Sequence, residues 1–149
     1  LLRLTERFQV VHIVGGGGVD PQFLETPHYL QFEYLDAPYG DVVAASDVVI
    51  SRAGANALFE FLWFKKPQLL IPLPGAASRG DQLENAALFE QKGYAQVCQE
   101  QDLGPGDLAR AVDSVWAARF DMIRQLGLVS QPDSLSLIRQ AIEEAAAAS

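Results

Sequence analysis

The chain has 149 residues, of which 49% are apolar and 20% are charged, and this balance is typical of one globular domain with a sizeable core. Its formal net charge of −8 argues against non-specific binding to nucleic acid, or to an anionic membrane, through the domain as a whole. Cys98 is the sole cysteine, which excludes an internal disulfide and a thiolate metal site, and no apolar run is long enough to span a bilayer.

Short apolar strands alternate with helical patterns along the chain. The strands are predicted, in order, at 9–14, 29–35, 47–51, 68–72 and 95–99. The predicted helices comprise the end of an opening helix, 1–8, followed by 41–46, 55–65, 82–92, 107–126 and 133–148. This alternation indicates right-handed βαβ units, and therefore an α/β fold in which helices cover both faces of a parallel sheet.

Ligands of such sheets bind beyond the carboxyl ends of the strands, where loops lead into helices. Four loops meet that condition, at 15–20, 35–40, 52–56 and 72–82. The first contains four consecutive glycines after a strand, but it lacks the G-x-G-x-x-G register of a dinucleotide loop and runs into a proline-containing segment. We therefore expect a turn there and not a nucleotide site.

The turn after the third strand, SRAGAN at 51–56, consists mainly of small residues and leads directly into a helix. Small side chains let a ligand approach the first free N–H groups of that helix, on Ala55, Asn56 and Ala57, where the partial positive charge suits a phosphate. The alternative is a helix start whose small residues serve only to pack against the sheet.

Glu60 is the one carboxylate in an otherwise apolar helical segment, LFEFLWF at 58–64. On a helical wheel it shares a face with Asn56, roughly opposite the apolar face and on the side near the turn. Burying an unpaired carboxylate costs on the order of several kcal/mol, so a ribose diol with two O–H donors would explain its position. The alternative is a domain interface, at which Phe59 and Trp63 pack on a partner.

The loop at 72–82 leads into a helix that carries several polar residues. Asp81 and Glu84 have the spacing of an N-cap residue and its capping-box partner, which predicts a structural role for both. Gln82 and Asn85 share a face, and their amides suit the hydroxyl and acetamido groups of a sugar. Asn85 could equally bond back to loop carbonyls, and that structural role is the preferred interpretation.

Three motifs in order, SDVVISRAGANALFEF at 46–61, KKPQLLIPLP at 65–74 and GDQLENA at 80–86, resemble the C-terminal half of the MurG family. These are the undecaprenyl-diphospho-muramoylpentapeptide β-N-acetylglucosaminyltransferases. The resemblance covers about residues 9–103 and extends more loosely over the two final helices. It implies a Rossmann-like domain, the C-terminal half of a GT-B glycosyltransferase, that binds UDP-N-acetylglucosamine (UDP-GlcNAc) without a metal or another cofactor.

The resemblance also implies roles for the residues at the turn and on its helix. Glu60 would accept the ribose hydroxyls of the donor. Backbone groups of Ala55, Asn56 and Ala57 would contact the diphosphate and the sugar.

The remaining implied contacts come from two other loops. Gln82, with Asp81 beside it, would hydrogen-bond the N-acetylglucosamine hydroxyls, and Asn85 is a further candidate on the same helix. Leu35 would lie against uracil. Two features depart from the family pattern: Asp81 stands where many members carry His or Gln, and the loop LDAPYGDVVAASD at 35–47 is one residue longer than the commoner form and lacks its Met.

By the same resemblance, 1–149 is an incomplete UDP-GlcNAc-binding C-terminal domain. The first strand with its G-G-S phosphate loop, and the acceptor-binding domain with the general base, would precede Leu1. The full protein would lie in the cytoplasm, peripheral on the inner face of the bacterial membrane, and convert lipid I to lipid II in peptidoglycan synthesis. The 149-residue chain alone is expected to be inactive. The alternatives are the donor-binding subunit of a split two-chain transferase and a nucleotide-sugar epimerase.

Overall fold

The computed structural model describes residues 2–75, 80–129 and 134–147. Within these ranges the strands are β1 Val10–Ile13, β2 Tyr29–Phe32, β3 Val49–Ser51, β4 Gln68–Leu70 and β5 Ala95–Val97. The α-helices are α1 Leu2–Thr5, α2 Tyr39–Ala45, α3 Ala55–Trp63, α4 Asp81–Gln91, α5 Asp107–Gly127 and α6 Ser134–Ala147. The predicted order of strands and helices is confirmed, while residues 1, 76–79, 133 and 148 of the predicted segments lie outside the described residues.

The strand pairings in the described part of the chain are all parallel, as predicted, but they form two sheets instead of one. β1 pairs with β2, and the other three strands follow the order β3-β4-β5. β1 pairs only with β2, and β3 pairs only with β4, so each of these strands has an edge without a strand partner among the described residues. Val11, Ile13 and Ile50, at these open edges, are 43%, 42% and 41% exposed, whereas parallel strands are normally buried on both faces.

Helices cover both faces of the three-stranded sheet. Neighbouring residues of a strand point to opposite faces, and in β4 both Leu69 and Leu70 are fully buried. Leu70 belongs to a core cluster with Leu58 of α3 and Phe89 of α4. Leu69 belongs to a second cluster with Val115 of α5 and Leu4 of α1. The predicted two-sided packing is therefore confirmed around β4.

β2 ends at Phe32, short of its predicted end at 35. The side chains of the next two residues bind the glycine turn after β1. The N–H groups of Gly16 and Gly17 donate to the Tyr34 hydroxyl and the Glu33 carboxylate, both at 3.0 Å. The predicted turn is present, and these two N–H groups are already occupied.

Helix α4 begins differently from the prediction. Gly80 is the N-cap residue, with a φ of 91°, and Asp81 is the first helical residue. The Asp81 carboxylate accepts from the N–H of Gln82 at 2.9 Å, and no side chain caps the helix. The capping box predicted for Asp81 and Glu84 is therefore wrong, because a left-handed glycine takes the N-cap position and shifts both residues one place into the helix.

Candidate functional site

The start of α3 is open at the carboxyl end of β3. Its N-cap residue is Gly54, in extended backbone conformation, and no side chain caps the helix. Ala55 and Asn56 are exposed and Ala57 is half-buried, and their N–H groups have no acceptor among the described residues. The first N–H groups of an α-helix lack partners within the helix and carry partial positive charge, so this end can receive a phosphate.

Hydrogen bonds to other segments of the chain hold the turn that precedes α3. Arg52 donates to both carboxylate oxygens of Glu100, at 3.1 and 2.9 Å, and to the carbonyl of Ile71 at 3.2 Å. Asn85 of α4 donates to the carbonyl of Ala53 at 3.1 Å. The hydrogen bonds between Arg52 and Glu100 raise the pKa of the guanidinium and lower the pKa of the carboxyl. The turn is thus fixed to the ends of β4 and β5 and to α4.

Glu60 is half-buried on α3 and contacts the start of α2. The Tyr39 hydroxyl donates to Glu60 Oε2 at 3.0 Å. Burial raises the pKa of Tyr39 most, and this hydrogen bond raises it further, to about 12, so the phenol stays protonated at neutral pH. The sequence-based expectation that the Glu60 carboxylate has no partner within the chain is therefore wrong, because Tyr39 hydrogen-bonds to it. Glu60 Oε1 has no donor in the described part of the protein.

Of the polar residues at the start of α4, Gln82 and Asn85 hydrogen-bond the backbone of neighbouring loops, and Asp81 is exposed. Gln82 is half-buried, and its Oε1 accepts from the N–H of Leu73 at 3.0 Å, so its amide holds the loop after β4. Asp81 is exposed at the helix start. Asn85 bonds to a loop carbonyl, which agrees with its preferred structural interpretation, although that carbonyl belongs to the turn before α3.

The predicted uracil contact, Leu35, lies half-buried in the loop between β2 and α2. The helix that follows this loop contacts Glu60 through its first residue, Tyr39, and no sequence motif predicted this contact. On α3, Phe59 and Trp63 are each 65% exposed, and Phe59 packs edge-on against Phe89 with ring centroids 6.2 Å apart. The domain-interface alternative for this helix stays a hypothesis.

Two cavities lie away from the predicted site residues. One, of about 220 Å³, is at the amino ends of β3 and β4 beside Trp116 and Arg119, and the other, of about 390 Å³, is beside the amino ends of β1 and β2.

Across 2–75, 80–129 and 134–147, no three His, Cys, Asp or Glu side chains are grouped as a metal site. In the same ranges, none of the helices has the length and apolar character needed to cross a bilayer.

Parallel strands, helices on both faces and an open helix start at the carboxyl edge are the arrangement of the C-terminal half of a GT-B glycosyltransferase. The family model described as the glycosyltransferase family 28 C-terminal domain matches residues 1–124. The chain belongs to this family.

The chain is 45% identical over 141 residues to the UDP-N-acetylglucosamine–N-acetylmuramyl-(pentapeptide) pyrophosphoryl-undecaprenol N-acetylglucosamine transferase of Lachnoclostridium phytofermentans. It is 44% identical over 144 residues to the protein of the same name from Lachnospira eligens. These alignments cover 95% and 97% of this chain but 40% and 41% of the relatives, so the chain spans about two fifths of their length. The crystal structure of Acinetobacter baumannii MurG has a TM-score of 0.77 at 20% identity, over 96% of this chain and 43% of that chain, which shows a shared fold.

Two residues that organise the site were not predicted. Tyr39 lies in the loop that departs from the family pattern, and an aromatic residue beside a glycine at a helix start was its only local signal. Arg52 is the one charged residue in the SRAGAN turn, which indicates an anchoring ion pair. Its partner Glu100 is 48 residues away, and local sequence does not predict it.

Proposed function

We propose that this chain is the donor-binding domain of a UDP-GlcNAc-dependent glycosyltransferase. One observation carries the proposal: the open start of α3, at Ala55, Asn56 and Ala57, lies one helical turn from a half-buried carboxylate, Glu60. The first feature suits a diphosphate and the second a ribose. Support comes from the 44–45% identity to proteins named as N-acetylglucosamine transferases.

In this proposal each predicted residue keeps a role. Glu60 accepts the ribose hydroxyls, and the α3 N–H groups bind the diphosphate and stabilise the UDP leaving group as negative charge develops on it. Gln82, through its amide nitrogen, and Asp81 bind the sugar hydroxyls. Leu35 lies against uracil. Asn85 acts on the donor indirectly, through the Ala53 carbonyl that it holds.

For the whole protein, we propose transfer of N-acetylglucosamine, with inversion, onto lipid I to give lipid II in peptidoglycan synthesis. Another domain would then bind the acceptor and supply the general base, and the whole protein would be peripheral on the inner face of the membrane. In the described residues β1 and β3 each have an edge without a strand partner, which is compatible with a further strand that is followed by a phosphate loop. On this proposal the 149-residue chain binds the donor but transfers no sugar.

Calorimetric titration with UDP-GlcNAc, UDP-glucose and UDP tests the proposal. Glu60→Ala is expected to weaken all three ligands by about 1–3 kcal/mol, the cost of losing a charged hydrogen-bond partner. Gln82→Ala is expected to weaken the two sugar-bearing ligands and to leave UDP nearly unchanged. Exposed Glu6→Ala and Gln91→Ala are the matched controls. The proposal is wrong if the wild-type chain binds none of the ligands, or if Glu60→Ala binds UDP as tightly as wild type.

A second candidate is the donor-binding subunit of a split transferase, in which a separate chain binds the acceptor. The chain's span of two fifths of its relatives' length is compatible with this arrangement. The gene distinguishes the two candidates: an open reading frame that continues for some hundreds of residues before Leu1 supports the single-chain enzyme.

A further inference from the structure

The contact between Tyr39 and Glu60 has a role that no sequence motif indicated. We propose that Tyr39 is a positioning residue, which holds the Glu60 carboxylate so that it selects a ribonucleotide over a deoxyribonucleotide. This inference rests on the proposed function, since it requires that Glu60 contacts the ribose of the donor.

The backbone that carries Tyr39 is fixed relative to Glu60. Tyr39 is the first residue of α2, and Glu60 lies on α3. The carboxyl end of α2 is fastened to the segment after α3, because the Lys66 ammonium donates to the carbonyls of Ala44 and Ser46, at 2.6 and 2.8 Å. The phenol therefore approaches the carboxylate from a helix that is itself anchored.

A carboxylate needs a defined orientation to bind a diol. The last torsion of a glutamate is broad, so an unconstrained carboxylate rotates between many orientations. The hydrogen bond from Tyr39 occupies Oε2 at 3.0 Å and fixes the plane of the group, while Oε1 has no donor among the described residues. One oxygen is thus held by the protein and the other is available to a ribose hydroxyl.

The phenol is suited to this task over the whole physiological range. Because it stays protonated at neutral pH, its O–H is available to donate to the carboxylate. Phenylalanine at the same position would keep the ring and its packing but remove the donor. Tyr39→Phe therefore separates the hydrogen bond from the bulk of the side chain.

The test compares the dissociation constants of UDP, 2′-deoxy-UDP and 3′-deoxy-UDP by calorimetry. We expect the wild-type chain to bind UDP about tenfold more tightly than at least one deoxy analogue, the effect of one charged hydrogen bond. Tyr39→Phe is expected to reduce that ratio at least about threefold, and Glu60→Gln to reduce it further. The double variant is expected to match Glu60→Gln alone, because Tyr39 acts through Glu60.

The control is Tyr29→Phe, which removes the hydroxyl of a buried tyrosine at the amino end of β2, where it hydrogen-bonds His12 at 2.7 Å. It is expected to change the melting temperature without changing the ribose ratio. If Tyr39→Phe weakens all nucleotides equally and keeps the wild-type ratio, Tyr39 is only structural and this inference is overturned. If the wild-type chain itself does not distinguish UDP from either analogue, the proposed role of Glu60 fails as well.

Discussion

Arg52 and Glu100 lie 48 residues apart in the sequence and are joined by two hydrogen bonds of 3.1 and 2.9 Å. The same guanidinium also donates to the Ile71 carbonyl at 3.2 Å. One side chain thereby connects the turn before α3 with the segments that follow β4 and β5. The pair is exposed at the surface, so its main effect is on the geometry of the turn and not on overall stability.

Arg52→Lys tests this positioning role. Lysine keeps the charge, but its ammonium does not reproduce the planar fork that engages both carboxylate oxygens. We expect UDP affinity to fall by about threefold to tenfold, with little change in the melting temperature. Arg124→Lys, in an exposed pair with Asp121 on α5, is the matched control. Unchanged UDP binding in Arg52→Lys would show that the ion pair does not position the turn.

The same pair predicts a dependence of stability on pH. Arg52 lowers the pKa of Glu100 below its usual value of 4.5 in the folded chain. The stability that the pair contributes is therefore present above that value and is lost as the pH falls through the lowered pKa. Because the pair is exposed, thermal unfolding of wild type and Glu100→Gln should show only a small difference near pH 7, and that difference should shrink below about pH 4.5. A difference that grows on acidification would contradict this assignment.

Gln68 is a fully buried amide in β4, and neither its oxygen nor its nitrogen has a partner in the described structure. An unsatisfied buried polar group costs about 1–3 kcal/mol, and an apolar side chain of the same shape removes that cost. We expect Gln68→Met to raise the free energy of unfolding by about 1 kcal/mol, measured by urea denaturation. Gln91→Met, at an exposed position, should change it by less than about 0.5 kcal/mol. Destabilisation by Gln68→Met would indicate that the amide has a partner, such as a buried water.

The break between the two sheets leaves amide groups at open edges. In β1, the N–H of Val10 donates to His28, across the ladder to β2, and in β3 the N–H of Val49 donates to Pro67, toward β4. Because successive N–H groups of a strand point to opposite sides, the alternate amides of both strands point to the open edges.

Hydrogen exchange measured by NMR tests this arrangement. We expect the amides of Val11, Ile13 and Ile50 to exchange quickly, since each points to an open edge, and those of Val10 and Val49 to exchange more slowly. Equal protection of both sets would mean that another strand, for example from a second copy of the chain, covers the edges. The separation of the sheets described here would then be absent in solution.

Much of the fold could be predicted from the periodicity of apolar residues and from the glycine and proline residues that separate the elements. The order of strands and helices was predictable because buried strands such as QLLIP at 68–72 and amphipathic helices have distinct patterns. The division into two sheets was not, because strand pairing joins residues that are distant in the sequence. The error at α4 has a local cause, since a glycine in the left-handed conformation displaced Asp81 from the cap.

The candidate site was predictable in part. Glu60 was recognisable as an acidic residue in an apolar helix, and the small residues before α3 predicted an open helix start. Tyr39 was not recognisable as its partner, because the contact joins two residues that are 21 apart in the sequence and lie on different helices. The predicted roles of Leu35 and Gln82 toward a donor stay predictions.

An NMR titration of the ¹⁵N-labelled chain with UDP is the sharpest test of nucleotide binding at the start of α3. We expect the largest saturable shifts at the amides of Ala55, Asn56 and Ala57, and we expect Glu60→Gln to raise the dissociation constant while the same amides shift. Shifts confined to the far end of the sheet, around Trp116 and Arg119, or no saturable shifts at all, would contradict it.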